Sequence, residues 1–204
     1  MSASALSVKG NKTRQAVIEA AHQLFVEQGF AATSMRQIAD RSGLALGGIY
    51  NHFPNKESIF SIVLLERHPF HQVIPLVQAT PGKDFEEFAK NAAANMVAEL
   101  GRRPDFVKLL LTEIVEFEGR HMPQMFTTVY PLVLPMIGRF LKSKSELRDI
   151  PPVVLFRAFL GLFFSYFMTE LLLANTPFVM KEKRSLEYFV DIFLHGVLAD
   201  KEKR

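Results

Sequence analysis

Three hydrogen-bond donors, Tyr50, His52 and Lys56, close the run TSMRQIADRSGLALGGIYNHFPNK that starts at Thr33. A phenol hydroxyl and an imidazole N–H can each donate to a phosphate oxygen. An ammonium near a helix N-terminus adds charge where backbone N–H groups already favour an anion. That is the chemistry of gripping, not of bond making. No HExxH occurs, no Gly-rich phosphate loop follows a strand, and the chain has no Cys to serve as nucleophile. Nothing marks Ser165 or Ser185 as activated. An enzyme is therefore the disfavoured class, with no cofactor and no metal expected.

The elements that must position those donors are short. Ser34 can cap a helix with Gln37 three residues on, a capping-box pattern. Met35, Ile38 and Ala39 supply its apolar face, and Gly43 stops it in the left-handed conformation. A second helix is predicted from about Ala45 to Phe53, ahead of Pro54 and Asn55. Helix, Gly-containing turn, helix is the outline of a helix-turn-helix, whose second helix lies in the DNA major groove.

Thr33-Ser34, Ile38-Ala39, Gly43, Gly47, Ile49-Tyr50, His52-Phe53-Pro54 and Lys56-Glu57, preceded by Leu24-Phe25-Val26-Glu27-Gln28-Gly29-Phe30, resemble the DNA-binding signature of the tetracycline-repressor (TetR) family. The resemblance is close over roughly Lys12 to Phe60 and extends beyond only as a helical pattern. It implies an all-α chain: an N-terminal three-helix helix-turn-helix domain over residues 1–58, joined to a C-terminal helical ligand-binding and dimerisation domain over 59–204. It further implies that Tyr50, His52 and Lys56 contact phosphates, with Thr33 and Ser34 reaching another. Family members often carry polar residues early in the recognition helix; here stand Ala45-Leu46-Gly47-Gly48. Two glycines inside a helix each cost about 1 kcal/mol relative to Ala, and the bareness would let backbone approach DNA closely. Ala45 and Leu46 are then expected to make apolar contacts, such as to thymine methyls, with Arg36, Asn51 and DNA shape supplying the rest of the specificity.

Net charge is a mild +3, and residues 1–58 carry six Lys and Arg against four Asp and Glu. Charge alone would not indicate nucleic acid. Met1 to Asn11 reads as a loose arm without an apolar leader core; its Lys9, with Lys12 and Arg14, could track phosphates. Helix 1 is predicted from about Lys12 to Gln28, with His22 beside its apolar stripe. Asn55 can cap a fourth helix reaching at least Arg67, and Pro69 and Pro75 interrupt the residues beyond it. His68 and His71 stand three apart, yet no third ligand is evident nearby, so a solvated joint is the better reading.

Fifteen of nineteen Phe residues lie at or beyond Phe70. Helices are predicted at about 84–100, 105–118, 122–142, 152–175 and 181–199, with Pro131 and Pro135 bending the third. The run Val153 to Ala174 contains Arg157 and Glu170, and the charge-free stretch between them, Ala158 to Thr169, is too short for a bilayer. A buried helix of a cytoplasmic protein with no membrane partner is expected. Phe156, Phe159, Phe163 and Phe167 share one face of that helix; Ala158, Gly161, Ser165 and Thr169 share the opposite one. The bulky side should fill its own subunit, and the small side should admit a neighbour helix. With Phe189 and Phe193 of the last helix it resembles the four-helix homodimer interface of the family.

A Phe- and Met-rich body beside a DNA reader suggests a cavity for a small apolar effector, lined by Phe106, Leu110, Phe117, Phe126, Phe159, Phe163 and Phe167. Glu113 on the first stripe and Glu170 on the second would be buried carboxylates. Each would then need a partner such as Arg157, Arg120 or a ligand group. The expected function is a regulator, most simply a repressor, released from a palindromic double-stranded operator by that effector. The rival is a DNA-bound architectural or partner-recruiting protein with no small-molecule switch.

Overall fold

The computed structural model describes residues 3–142, 147–174, 176 and 185–198, with side chains over 10–135, 147–174, 176 and 185–198. Among them the architecture is all-α. The helices are α1 (Ala3–Gln28), α2 (Met35–Ser42), α3 (Leu46–Tyr50), α4 (Lys56–Arg67), α5 (Phe70–Gln78), α6 (Phe85–Gly101), α7 (Pro104–Phe117), α8 (Met122–Lys142), α9 (Pro152–Leu173) and α10 (Ser185–Val197). One isolated antiparallel bridge joins Leu147 to Leu198.

Two compact units emerge: Met1–His68 with Pro104–Met125, and Pro69–Arg103 with Phe126–Arg204. In the first, α1 packs on α2, α4 and α7. Its core joins Val17, Ile18, Ala21, Leu24 and Phe25 of α1 to Ile38, Ile49, Phe53, Ile59, Phe60 and Val63, and takes in Phe106, Leu109 and Phe117 of α7. Burying so many large apolar side chains, at about 1.5–3 kcal/mol each, is what holds the short α2 and α3 in place. In the second unit α5 packs on α6, and α6 packs on α9 and α10.

Local chemistry accounts for most boundaries. Ser34 caps α2 in a full capping box with Gln37, and Gly43 ends it at φ 70°. Asn55 caps α4 and Asp84 caps α6 through side chains that accept backbone N–H groups. Three expectations are corrected. α1 begins at Ala3, so residues 3–11 are helical where an arm was expected. No proline interrupts them, Gly10 does not adopt the left-handed conformation of a helix stop, and a nucleated helix extends at little cost. The recognition helix is shorter than expected, ending at Tyr50. Finally, Pro69 and Pro75 do not abolish a helix: α5 forms with Pro75 inside it, because Phe70, Ile74 and Val77 bury one helical face. The predicted last helix is seen as Ser185–Val197; its residues 181–184 and 199 fall outside the described set.

Candidate nucleic-acid interface

The corner between α1 and α2 is built from backbone carbonyls and the side chains that satisfy them. Thr33 is only 2% exposed, and its hydroxyl donates to the Gly29 carbonyl at 2.8 Å. That hydroxyl is a structural tie, which corrects its expected reach to a phosphate. Gln28 Nε2 donates to the Ala32 carbonyl at 3.0 Å and to Thr33 Oγ1 at 3.2 Å. Ser34 is exposed, and its Oγ accepts the Gln37 N–H at 3.2 Å and donates to Gln37 Oε1 at 2.9 Å. Lys56, at the start of α4, turns back onto this corner and donates to the carbonyls of Phe30 and Thr33, both at 2.6 Å.

Beyond the corner the surface changes character. Arg36, Asn51 and His52 are exposed, as is Tyr50 at 52%. None of the four makes a side-chain hydrogen bond or ion pair with a described residue; His52 only lies against the Phe53 ring. They differ in this from the cations around them. Arg41 pairs with Glu27 at 2.6 Å, and Arg67 pairs with Glu19. Arg14 reaches Glu66 at 3.4 Å and lies 5.6 Å over the Phe53 ring, as a surface charge with partners inside the chain. The side chain of Lys9 is outside the described set.

The recognition helix is bare. Ala45 and Gly47 are exposed and Gly48 is half-buried. A Cβ added at Gly47 or Gly48 would meet nothing within 4 Å, and neither has positive φ. Nothing inside the chain therefore demands glycine at either position. Leu46 departs from expectation: it is half-buried and packs against the core of the first unit, so its side chain only partly serves an outside surface. Ile49 is fully buried and anchors the helix.

The other predicted sites resolve differently. Phe106, Leu110, Glu113 and Phe117 belong to the first unit, where Phe117 stacks on Phe60 at 4.8 Å and meets Phe30 edge-on at 4.8 Å. That stripe is core packing around the reader, a correction to its place on an effector cavity. Glu113, 0% exposed, is satisfied by His121, whose backbone N–H and ring Nδ1 each lie 2.7 Å from a carboxylate oxygen. Its expected partners were Arg157, Arg120 or a ligand. His121 carried no sequence signal, since it sits eight residues on, past the left-handed pair Glu118 and Gly119. Arg120 instead pairs with Glu57 at 3.1 Å.

In the second unit Phe159 and Phe163 are buried and stack edge-on at 4.5 Å; Phe167 is buried as well, while Phe126 is exposed. Glu170 is exposed, which corrects its expected burial. Ala158, Gly161, Ser165 and Thr169 lie along α9; Ala158, Gly161 and Ser165 are exposed and Thr169 is exposed too. Phe189 packs on Tyr166 at 5.1 Å and Phe193 on Phe159 at 5.5 Å. Both aromatics expected at a dimer interface are thus engaged inside the chain, and α10 presents Tyr188 and Ile192 outward instead. By length and composition α9 could cross a membrane, with mean hydropathy 1.6 over its most apolar window. No cluster of three or more metal-ligating side chains occurs among the described residues.

Comparison with known proteins places this geometry. Residues 17–63 match the profile of bacterial regulatory proteins, tetR family, a span that runs from the buried face of α1 to that of α4. An HTH-type transcriptional regulator of Bacillus subtilis, YvkB, is 23% identical over 92% of this chain and 98% of its own length. The probable acrEF/envCD operon repressor of Escherichia coli is 28% identical over 48% of this chain and 47% of its own. Among solved structures, NalD, the secondary repressor of the MexAB-OprM multidrug efflux pump in Pseudomonas aeruginosa, superimposes with TM-score 0.66 at 22% identity, covering 94% of this chain and 99% of NalD. The capped, glycine-stopped reader is thus a TetR-family DNA-binding domain over residues 17–63, and the chain shares its all-α fold with these solved regulators.

Proposed function

We propose that the chain is a cytoplasmic repressor that binds a palindromic DNA operator as a homodimer, residues 1–58 reading DNA and 59–204 carrying dimerisation and effector response. The observation that carries the reading is the unpaired set Arg36, Tyr50, Asn51 and His52 around a recognition helix whose glycines face open space. Tyr50, His52 and Ser34 supply donors to phosphates; Arg36 and Asn51 supply donors and acceptors to base edges; Ala45 and Gly47 bring apolar surface and bare backbone to thymine methyls. One short reader discriminates poorly, and a two-fold dimer reading two half-sites remedies that.

Support for the dimer comes from α9 and α10. Beside the small residues of α9, Val154, Phe164 and Leu172 are exposed, and a Cβ at Gly161 or Gly196 would meet nothing within 4 Å. A second copy covering these faces would remove a large apolar surface from water and account for the hydropathy of α9 without a membrane. The repressor assignment follows the relatives, two of which are named as repressors, one of an efflux pump and one of an operon. An apolar effector would act by binding better to a state whose readers are spaced wrongly for the operator.

The reading without a small-molecule switch keeps one specific support: three of the seven apolar residues expected to line a cavity, Phe106, Leu110 and Phe117, pack around the reader, and Glu113 is already satisfied. Selection of bound duplexes from a random pool tests the DNA assignment; enrichment of an inverted repeat is expected, and no enrichment refutes it. Gel-shift titration of the enriched operator against apolar compounds separates the two readings.

A further inference from the structure

We propose that Lys56 is a positioning residue of the reader: its ammonium fastens the Phe30–Thr33 corner to the start of α4 and so places the first turn of α2, instead of neutralising a phosphate itself. This rests on the DNA-binding reading above and departs from the phosphate role that the family resemblance implies.

An ammonium has three N–H donors. At Lys56 two of them are taken by the Phe30 and Thr33 carbonyls at 2.6 Å, and the third faces the Ala31 carbonyl at 3.5 Å. The same nitrogen lies 4.1 Å from the centroid of the Phe30 ring, over its negative face. Phe30 in turn packs against Phe25, Phe60 and Phe117, so the ring under the charge cannot swing away without opening the core. Burial pushes the Lys56 amine below the ordinary lysine range, as expected of a cation withdrawn from water.

The corner needs such a group. Three of its four carbonyls, those of Phe30, Ala31 and Thr33, converge on the one nitrogen. Gln28 takes Ala32 and the Thr33 N–H takes a second lone pair of Phe30, leaving the rest to Lys56. Ser34, the cap of α2, is bonded directly to the last of these residues. A shift of Thr33 therefore shifts the whole first turn of α2, Arg36 included. Lys56 exerts its effect on DNA through that backbone, while the unpaired donors of Tyr50 and His52 remain for phosphates.

Salt dependence separates the two roles, because each phosphate neutralised by the protein contributes about 0.9 to the slope of log affinity against log salt. With the duplex enriched by the wild-type chain as probe, Lys56→Met is expected to bind about tenfold more weakly with the wild-type slope. Lys56→Arg, which keeps a donor-rich cation over Phe30, should restore most of the loss. The amide resonances of Ser34 to Gln37 should move in the Met variant and return in the Arg variant. A slope shallower by about 0.9 in Lys56→Met, or an affinity unchanged in it, overturns the proposal. Should Lys56→Met not fold, the ammonium nitrogen resonance of Lys56 in the wild-type chain decides. Constancy on adding the duplex supports the positioning role, and scalar coupling to phosphorus refutes it. If the wild-type chain enriches no duplex at all, the DNA reading itself fails, a result distinct from either.

Discussion

Both carboxylate oxygens of Glu113 are held by one residue: the backbone N–H of His121 lies 2.7 Å from one, and His121 Nδ1 lies 2.7 Å from the other. His121 Nε2 faces Glu57 at 3.5 Å, at the first turn of α4. The turn between α7 and α8 is thereby pinned to the helix that follows the reader, all within the first unit. Removing the ring that bonds a buried carboxyl group leaves one of its oxygens unsatisfied in apolar surroundings, at about 1–3 kcal/mol. His121→Ala should destabilise the chain by that order in urea unfolding. Glu113→Leu combined with His121→Ala should cost less than the two single changes summed.

Stability and DNA affinity should move in opposite directions at the bare helix. Gly47→Ala and Gly48→Ala meet no obstruction in the free chain. Each is expected to stabilise it by about 0.5–1 kcal/mol through helix propensity and lost unfolded-state freedom. Each should also weaken operator binding, because the added methyl occupies the space where DNA approaches. Thermal melts and gel shifts on the same samples test both halves; unchanged affinity would mean the backbone does not come close to bases.

Acid should weaken the fold through His22. Burial first, and the nearby Arg67 second, lower its pKa below 6.5, while Glu19 and Asp105 pull the other way. The unfolded chain therefore binds more protons than the folded one between the folded-state value and 6.5. Stability contributed above 6.5 is lost as pH falls through that window, and levels off below it. His22→Gln should flatten this part of the profile. Urea midpoints from pH 8 to pH 5 provide the measurement, and a profile as steep as the wild type would contradict the assignment.

At the proposed dimer face, a change harmless to one chain should separate two. Ile192 is 65% exposed, so Ile192→Asp should alter the stability of an isolated chain by no more than about 0.5 kcal/mol. In a dimer it would bury a carboxylate without a partner. Sedimentation equilibrium should show dissociation at micromolar concentration with helicity retained. Persistence of the dimer would move the interface elsewhere.

What the sequence alone determined is whatever short-range chemistry controls. The caps Ser34, Asn55 and Asp84 and the left-handed stop at Gly43 all lie within four residues of the groups they satisfy. The bareness of Ala45-Leu46-Gly47-Gly48 and the two faces of α9 were equally legible, since helical spacing needs no tertiary information. The fold decided what depends on distant neighbours. Lys56 finds the Phe30 and Thr33 carbonyls more than twenty positions away, and Arg14 finds Glu66 across fifty-two. Phe106 and Phe117 join the reader's core, although a stripe of the same spacing would line a cavity equally well. α5 survives Pro75 because its other face is buried. Periodicity tells which side of a helix is apolar; only packing tells what that side meets, and the direction of a long polar side chain follows from the nearest unsatisfied oxygen in space, not in sequence.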